Sequence, residues 1–379
     1  MDLSYNDEQR QLKDSVDRFV REQYAFDNRR KIAASDLGWS KDHWNKFAEL
    51  GWLAIPFAED DGGLGWGGVE MAIVMEAFGK GLVLEPFLPT VILGGGAIAR
   101  AGSKAQKEKI LAGVIEGKRQ LALAFVERQA RYNLADTATK AEKSGAGYKL
   151  SGAKSVVYNA AAADTIIVAA RTAGGQREEK GITLFLVDAK ANGLSRRDYP
   201  TQDASRASEV KLDNVEIGAD AVLGPLDGGF AILEESIDRA IIALGSEAVG
   251  CMDALNAATH EYIKTRKQFG VPIGKFQVLQ HRMVDCFTAA QEARSIALMA
   301  TLRMDEDAKT RKRVASACKV QIGKSGKFVG QSAVQMHGGM GVTDELNVGH
   351  YFKRLTMIDS IFGNTQHHLT RYGLLMDAA

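Results

Sequence analysis

The residues best placed to do chemistry lie in the stretch 265–285, TRKQFGVPIGKFQVLQHRMVD. Arg266 carries a planar, multi-donor guanidinium, a head group suited to a pyrophosphate. Phe269 offers a face on which a flat ring can stack, and Gly270-Val271-Pro272 sets a turn beneath both. An ordinary connection between two helices would have the same spacing, and composition alone favours that plainer reading. Other constellations fail on inspection. The glycines of 62–68 and 94–96 form neither GxGxxG after a strand nor a GxxxxGK[ST] loop, so they read as loop and packing glycines. His367 and His368 stand side by side, but no further ligand lies at helical spacing, so no metal site is expected. No GxSxG elbow supports hydrolysis.

These residues must be held by a sizeable scaffold. The chain has 379 residues, 45% of them apolar, with 48 Lys+Arg against 47 Asp+Glu. At ~150 residues per domain this suggests two or three domains. A net charge of +1 gives no electrostatic footprint for nucleic acid. Cys251, Cys286 and Cys318 form no CxxC or disulfide pattern and fit a reducing compartment. The polar N-terminus reads as no signal peptide, and the apolar run 240–248 is broken by Gly245 and Glu247. A cytoplasmic protein without a membrane partner is therefore expected.

The period of the apolar residues changes twice. Over 6–117 it is helical, with Leu12, Val16, Phe19 and Val20 behind an Asn6/Asp7 cap and a second helix opening at Ser40. A glycine-rich loop leads to a helix carrying Met71, Val74, Met75 and Phe78, and two more start from Thr90 and Ser103. From about Gln120, the runs LALAFV, YKLSG, KSVVYN, DTIIVAAR, GITLFLVD and SEVKLDNVEI read as strands of a compact barrel or sandwich. After Leu223-Gly224-Pro225 helical periodicity returns, over 226–265, 276–305, 310–337 and 345–362, as in a bundle. The expected fold is thus α+β and multidomain: helical 1–119, β 120–224 and a four-helix bundle 225–379.

The stretch 265–285 closely resembles the RxxFG-x-PI-x-x-FQ signature of the acyl-CoA dehydrogenases. Residues 335–342, QMHGGMGV, are similar to the same family's Q-x-x-GG-x-G segment. Within the family, the chain looks most like the branch of the pimeloyl-CoA dehydrogenase small subunit. The resemblance implies FAD lying extended between subunits, with an acyl-CoA thioester against the flavin. It also implies a carboxylate that removes the pro-R α-proton while the β-hydride moves to flavin N5, giving a trans-2-enoyl-CoA. Electron-transfer flavoprotein is the implied electron acceptor, and lipid β-oxidation the implied setting. Carried over by motif, Arg266, Phe269, Phe276 and Gln277 contact the adenosine-pyrophosphate side of FAD. Gln335, Gly338 and Gly339 contribute from the neighbouring subunit. Thr365 matches the threonine of the terminal E-G-T segment and is an implied FAD contact, and Arg239 matches an arginine close to the substrate.

The resemblance breaks at the base, because the usual catalytic glutamate falls on Gly363. Some relatives carry the base on the first helix after the β domain. There Glu247 is the only ionisable residue between Ala240 and Gly250, with Ala243, Leu244, Gly250 and Cys251 as helical neighbours. This predicts a desolvated carboxylate of raised pKa, with small residues leaving room for substrate. A buried glutamate bonded to a neighbouring helix is the plainer alternative. Asp238 is the second candidate base, but its cluster with Glu234, Glu235 and Arg239 reads as a solvated or ion-paired turn. On the flavin side, the family's E-P-G-A-G-S-D loop becomes 127–133, ERQARYN, and its W-x-T becomes Val156-Val157-Tyr158.

Two assemblies fit the first reading: a homo-oligomer using Glu247, or an α2β2 heterotetramer whose second acyl-CoA dehydrogenase subunit brings the missing glutamate and flavin loop. A catalytically silent structural or acyl-binding subunit is the alternative of another class, and a flavin oxidase or monooxygenase a third. The exchange of glutamate for Gly363 removes side-chain volume and predicts room for a bulky or ring-bearing acyl group. A dicarboxylyl chain is equally allowed.

Overall fold

The computed structural model describes residues 4–377. The expected N-terminal cap forms: the Asn6 side chain accepts from the Gln9 N–H at 2.8 Å, and the Gln9 side chain accepts from the Asn6 N–H at 3.0 Å. Behind it runs α1 (Asp7–Gln23), burying Leu12, Val16, Phe19 and Val20. Then follow α2 (Phe26–Ala33), α3 (Lys41–Glu49), α4 (Gly68–Gly81), α5 (Gly96–Ala101) and α6 (Lys104–Ile115). The helix expected from Thr90 is instead a π-helical stretch, Leu88–Gly95, that runs into α5. After the strands come α7 (Gly229–Thr265), α8 (Gln277–Arg303), α9 (Ala308–His337), α10 (Asn347–Ser360) and α11 (Thr365–Asp377).

The chain forms two compact units. One takes in residues up to Lys31, Gly68–Val83 and the chain from Ile241. The other takes in Ile32–Gly67 and Leu84–Ala240. The second holds an eight-stranded sheet of β1 (Leu121–Ala124), β2 (Lys140–Ser144), β3 (Gly147–Tyr158), β4 (Thr165–Arg171), β5 (Ile182–Asp188), β6 (Leu194–Pro200), β7 (Arg206–Ile217) and β8 (Val222–Leu223). The strand order is β6-β7-β3-β2-β4-β5-β8, with β1 parallel to β4. Its core is alternating and β-branched, as in Leu150, Val157, Ile166, Val168, Phe185, Val187, Val210 and Val215. YKLSG and KSVVYN, read as two strands, are the single strand β3. Its pairing with β7 slips at Leu150/Gly152 and again at Lys154/Val157.

In the helical unit α9 is the central element, packed by α8, α10 and α11. Its buried face is small, so neighbours approach closely: a carbon added at Gly326 would meet Leu355 Cδ2 at 3.2 Å, and one at Gly330 Phe352 Cδ2 at 2.9 Å. Helices α4 and α7 touch backbone to backbone. Side chains at Gly79 and Gly250 would lie 2.0 Å from the Glu247 carbonyl oxygen and 1.9 Å from that of Glu76. By length and composition α7 is apolar enough to cross a membrane, but 78% of its most apolar window is buried within the protein.

Candidate functional site

The motif at 266–277 forms a compact outward-facing device. Arg266 follows the last turn of α7, its exposed side chain making no ion pair or hydrogen bond among the described residues. Residues 267–268 and 271–272 pair as the two arms of a hairpin, which the composition did not announce. Its turn is Phe269-Gly270, with φ of +55° and +79°. Two successive left-handed residues make a type I′ turn, which normally takes Asn-Gly. A phenylalanine here costs backbone energy, and it is also 92% exposed. Its ring meets Phe276, the residue before α8, edge to face at 6.1 Å. Gln277 opens that helix and is exposed.

The second motif lies at the C-terminal end of α9. Gln335 is exposed in the last turn and its carbonyl accepts from the Gly338 N–H. Gly338 (φ +60°) and Gly339 are exposed, and nothing lies within 4 Å of where a side chain would begin at either. Two residues missed by sequence reasoning join the motifs. Tyr262, in the last turn of α7, stacks on His337, at the end of α9, with ring centroids 4.2 Å apart. Aromatic residues four before Arg266 and directly before the glycine pair were the available signal.

Gly363 follows α10 in a tightly held turn. Its φ is +109°, and a carbon added to it would lie 2.6 Å from His367 Cδ2 and 2.7 Å from His368 Nε2. The expectation that glycine simply vacates volume is thereby corrected, because imidazoles of this chain already fill the direction a side chain would take. Lys319, fully buried on α9, donates to the carbonyls of Ile358 at 2.6 Å, Asp359 at 2.8 Å and Gly363 at 2.6 Å. Burial lowers its pKa to about 7, against the attraction of Asp359. His368 Nε2 lies 2.9 Å from the Phe362 carbonyl oxygen and Nδ1 3.3 Å from Ser316 Oγ. Burial brings its pKa down to about 3. Both its nitrogens are thus engaged by protein groups. Thr365 opens α11, its N–H and hydroxyl both donating to Asp359 Oδ1, at 3.0 and 2.8 Å.

Glu247 is buried, as expected, but not among apolar groups alone. Arg354 of α10 grips it in a fork, Nε to Oε1 at 2.6 Å and Nη2 to Oε2 at 2.8 Å. The plainer alternative, a buried glutamate bonded to a neighbouring helix, is what forms, and the expected room beside it is corrected, since Gly250 abuts the backbone of α4. Both oxygens of this carboxylate are thus committed to one bidentate pair within the chain. The cluster around Asp238, expected as a solvated or ion-paired turn, is ion-paired but neither solvated nor a turn. It lies within α7, where Asp238 is 1% exposed, and Arg239 Nε donates to Glu235 at 2.9 Å.

In the β-containing unit the loop 127–139 is rigidly braced. Glu127 accepts from Lys154 Nζ at 2.6 Å, Gln129 Nε2 at 2.8 Å and the N–H groups of Ala138 and Thr139 at 2.9 and 3.0 Å. Burial would raise its pKa, but the Lys154 charge and these bonds hold it down at about 2. Asp136 accepts from Gln176 and Arg177, and Arg171 donates to the carbonyls of Ala135, Gln176, Glu178 and Lys180. Next to this loop Val156 sits at the second slip of β3 with φ +52°, an outlier for a β-branched residue, and its side chain is exposed. Glu209 accepts there from Ser155 Oγ at 2.9 Å and Tyr199 OH at 3.0 Å.

Comparison with known proteins bears on what these features serve. Profiles of the acyl-CoA dehydrogenase N-terminal, middle and C-terminal domains match residues 6–118, 122–215 and 227–373. Probable acyl-CoA dehydrogenase YngJ of Bacillus subtilis (strain 168) is 30% identical over 310 residues, 80% of this chain and 81% of its own. The 3-(aryl)acrylate reductase of Clostridium sporogenes (strain ATCC 15579) is 29% identical over 334 residues, 86% of this chain and 87% of its own. A solved structure described as the Tcur3481-Tcur3483 steroid ACAD G363A variant superposes with a TM-score of 0.88 at 28% identity, covering 98% of each chain.

Proposed function

We propose, for a chain that belongs to the acyl-CoA dehydrogenase family, that it works as one subunit of a heteromeric FAD-dependent acyl-CoA dehydrogenase whose second subunit supplies the catalytic base. The observation that carries this reading is the Gly363 turn. The position matched to the family's glutamate has left-handed backbone, is walled by two imidazoles and is clamped by Lys319, so it has neither a carboxylate nor a place for one. Glu247, the residue expected to substitute, has both oxygens committed to Arg354.

The residues fit the nucleotide end of FAD. Arg266 offers an unengaged guanidinium to a pyrophosphate, Phe269 and Phe276 offer ring faces, and Gly338-Gly339, with the Gly338 N–H already donated to Gln335, leave open space where side chains would begin. Gln277 and Gln335, both exposed, complete the polar rim. When bound, FAD supplies the acceptor for the hydride leaving the acyl chain. Phe269 at a costly turn, almost wholly in solvent, fits a device completed by another subunit. The braced 127–139 loop and the Glu209 network, where the family's flavin-facing hydroxyl and indole are replaced, fit a flavin end supplied mainly by the partner. The domain reading 1–119, 120–224 and 225–379 is supported by the three family profiles over 6–118, 122–215 and 227–373, and electron-transfer flavoprotein is the proposed acceptor.

A ring-bearing acyl group is the proposed substrate class. The supporting observation is that two similar proteins are described as acting on aryl and steroid compounds. Arg239 and the Gly363 turn are the proposed substrate neighbours, and Thr365 acts by fixing that turn. A second reading keeps the base in this chain at Asp238, favoured by its burial on α7.

One experiment tests these. The chain is purified alone and co-expressed with its genomic neighbour, then assayed for bound flavin and anaerobic bleaching by aryl- and steroid-acyl-CoA thioesters. Flavin and bleaching only in the co-expressed complex, insensitive to Asp238→Asn, is the expected result. Full bleaching by the chain alone, abolished by Asp238→Asn, would overturn it in favour of the second reading.

A further inference from the structure

The two segments assigned above to the nucleotide end of FAD start directly after the C-terminal ends of two long helices, Arg266 after α7 and Gly338 after α9. A ring pair joins those ends. Tyr262 and His337 stack with centroids 4.2 Å apart and planes 27° from parallel. The Tyr262 hydroxyl also donates to the His337 carbonyl oxygen at 3.3 Å, capping one of the terminal carbonyls of α9. Tyr262 is fixed to the first motif as well, since its own carbonyl accepts from the Arg266 N–H at 2.8 Å.

His337 is suited to spacing rather than to binding. It is 5% exposed, and its Nδ1 lies 2.8 Å from the Ala333 carbonyl oxygen one turn back. Burial lowers its pKa, so the ring is neutral at pH 7 and brings no charge to a phosphate. Gly338, the next residue, has φ +60° and open space around it, so its path depends on where His337 is held. A pyrophosphate bridged between a guanidinium and backbone amides demands that the two donors be a fixed distance apart.

We propose that Tyr262 and His337 form a positioning pair that sets the spacing between the Arg266 hairpin and the Gly338-Gly339 segment, and thereby the affinity for the adenosine-diphosphate end of FAD. This rests on the reading that both segments of one chain grip the same end, which the Tyr262–His337 contact within the chain supports in place of the expected division of the two motifs between subunits. The pair touches no reacting atom.

The test uses the flavin-stripped oligomer, purified with its partner where it has one, and three probes: FAD, ADP and FMN. Tyr262→Leu and His337→Leu are expected to weaken ADP and FAD about tenfold, the scale of one aromatic pair, while leaving FMN unchanged. His337→Phe, which keeps the stack, is expected to stay within about twofold of wild type by the same argument. Arg266→Ala serves as the control. If Arg266→Ala leaves ADP binding intact, the underlying reading of the nucleotide end falls. If it weakens ADP but Tyr262→Leu and His337→Leu do not, the positioning pair falls. Parallel loss of ADP and FMN binding with loss of assembly would show the pair to be merely structural, and would also overturn the proposal.

Discussion

Placing a side chain at position 363 is the most direct challenge to the site. Gly363 has φ +109°, and the first carbon of any substituent would lie 2.6 Å from His367 Cδ2 and 2.7 Å from His368 Nε2. Holding a non-glycine residue in that backbone region costs about 1–3 kcal/mol. Forcing the rings apart adds about 1–3 kcal/mol. His368 has little freedom to yield, being tied to the Phe362 carbonyl and Ser316, and the Gly363 carbonyl is tied to Lys319. Gly363→Ala should therefore cost about 3 kcal/mol, and Gly363→Glu at least as much. Restoring the family's glutamate should give the isolated chain no dehydrogenase turnover. Gly270→Ala is the control for strain alone, because its φ of +79° is matched by open space; it should cost about 1 kcal/mol. Denaturant unfolding should be followed by far-ultraviolet circular dichroism. All four tryptophans, Trp39, Trp44, Trp52 and Trp66, belong to the other compact unit and would report on that instead. A Gly363→Ala variant no less stable than Gly270→Ala, or turnover by Gly363→Glu alone, would refute the account of the turn.

Three further outcomes are expected. Phe269→Asn gives the type I′ turn its preferred residue and should stabilise the flavin-free protein by up to ~1 kcal/mol while weakening FAD binding, measured by unfolding and by flavin titration; unchanged flavin affinity would count against the hairpin's role. Glu247→Gln removes a carboxylate from the fork on the partly buried Arg354 and should cost about 1–3 kcal/mol, measured by denaturant unfolding, with turnover of the complex retained where the subunit stays folded. His368 gives the pH dependence its sign: burial lowers its folded pKa to about 3 from the usual 6.5, so the unfolded chain binds the proton first. Its contribution is complete above pH 6.5 and lost as pH falls from 6.5 towards 3, by about 2 kcal/mol at pH 5. His368→Asn, compared with wild type in denaturant titrations at pH 7 and pH 5, should show a smaller loss on acidification.

Legibility in the sequence followed the reach of each interaction. The long helices were visible because one apolar stripe specifies each, and the cap at Asn6 because its partner is three residues away. Strand β3 was split in reading by Ser151-Gly152, where Gly152 serves a register slip rather than a turn. Strands β2 and β6 were missed because KAEKS and LSRRDYP carry charges where apolar alternation was sought; backbone pairing makes them strands. The hairpin at 267–272 hid behind a phenylalanine in a place where turn chemistry asks for asparagine. Glu247 shows the limit most plainly. Its helical neighbours were read correctly, but Arg354 stands 107 positions away in sequence and no local pattern announces it. At Gly363 the missing carboxylate was legible, whereas the imidazoles and the lysine that close the space around it were not.

The left-handed phenylalanine at the hairpin tip has one further consequence under the proposed function. A loop that is strained alone and relieved only in contact makes cofactor loading and subunit mating mutually reinforcing, by the same factor in both directions. Dilution should then strip the flavin, and surplus flavin should hold the quaternary structure together. Prosthetic-group content would act as a gauge of association, with no separate sensor in the fold.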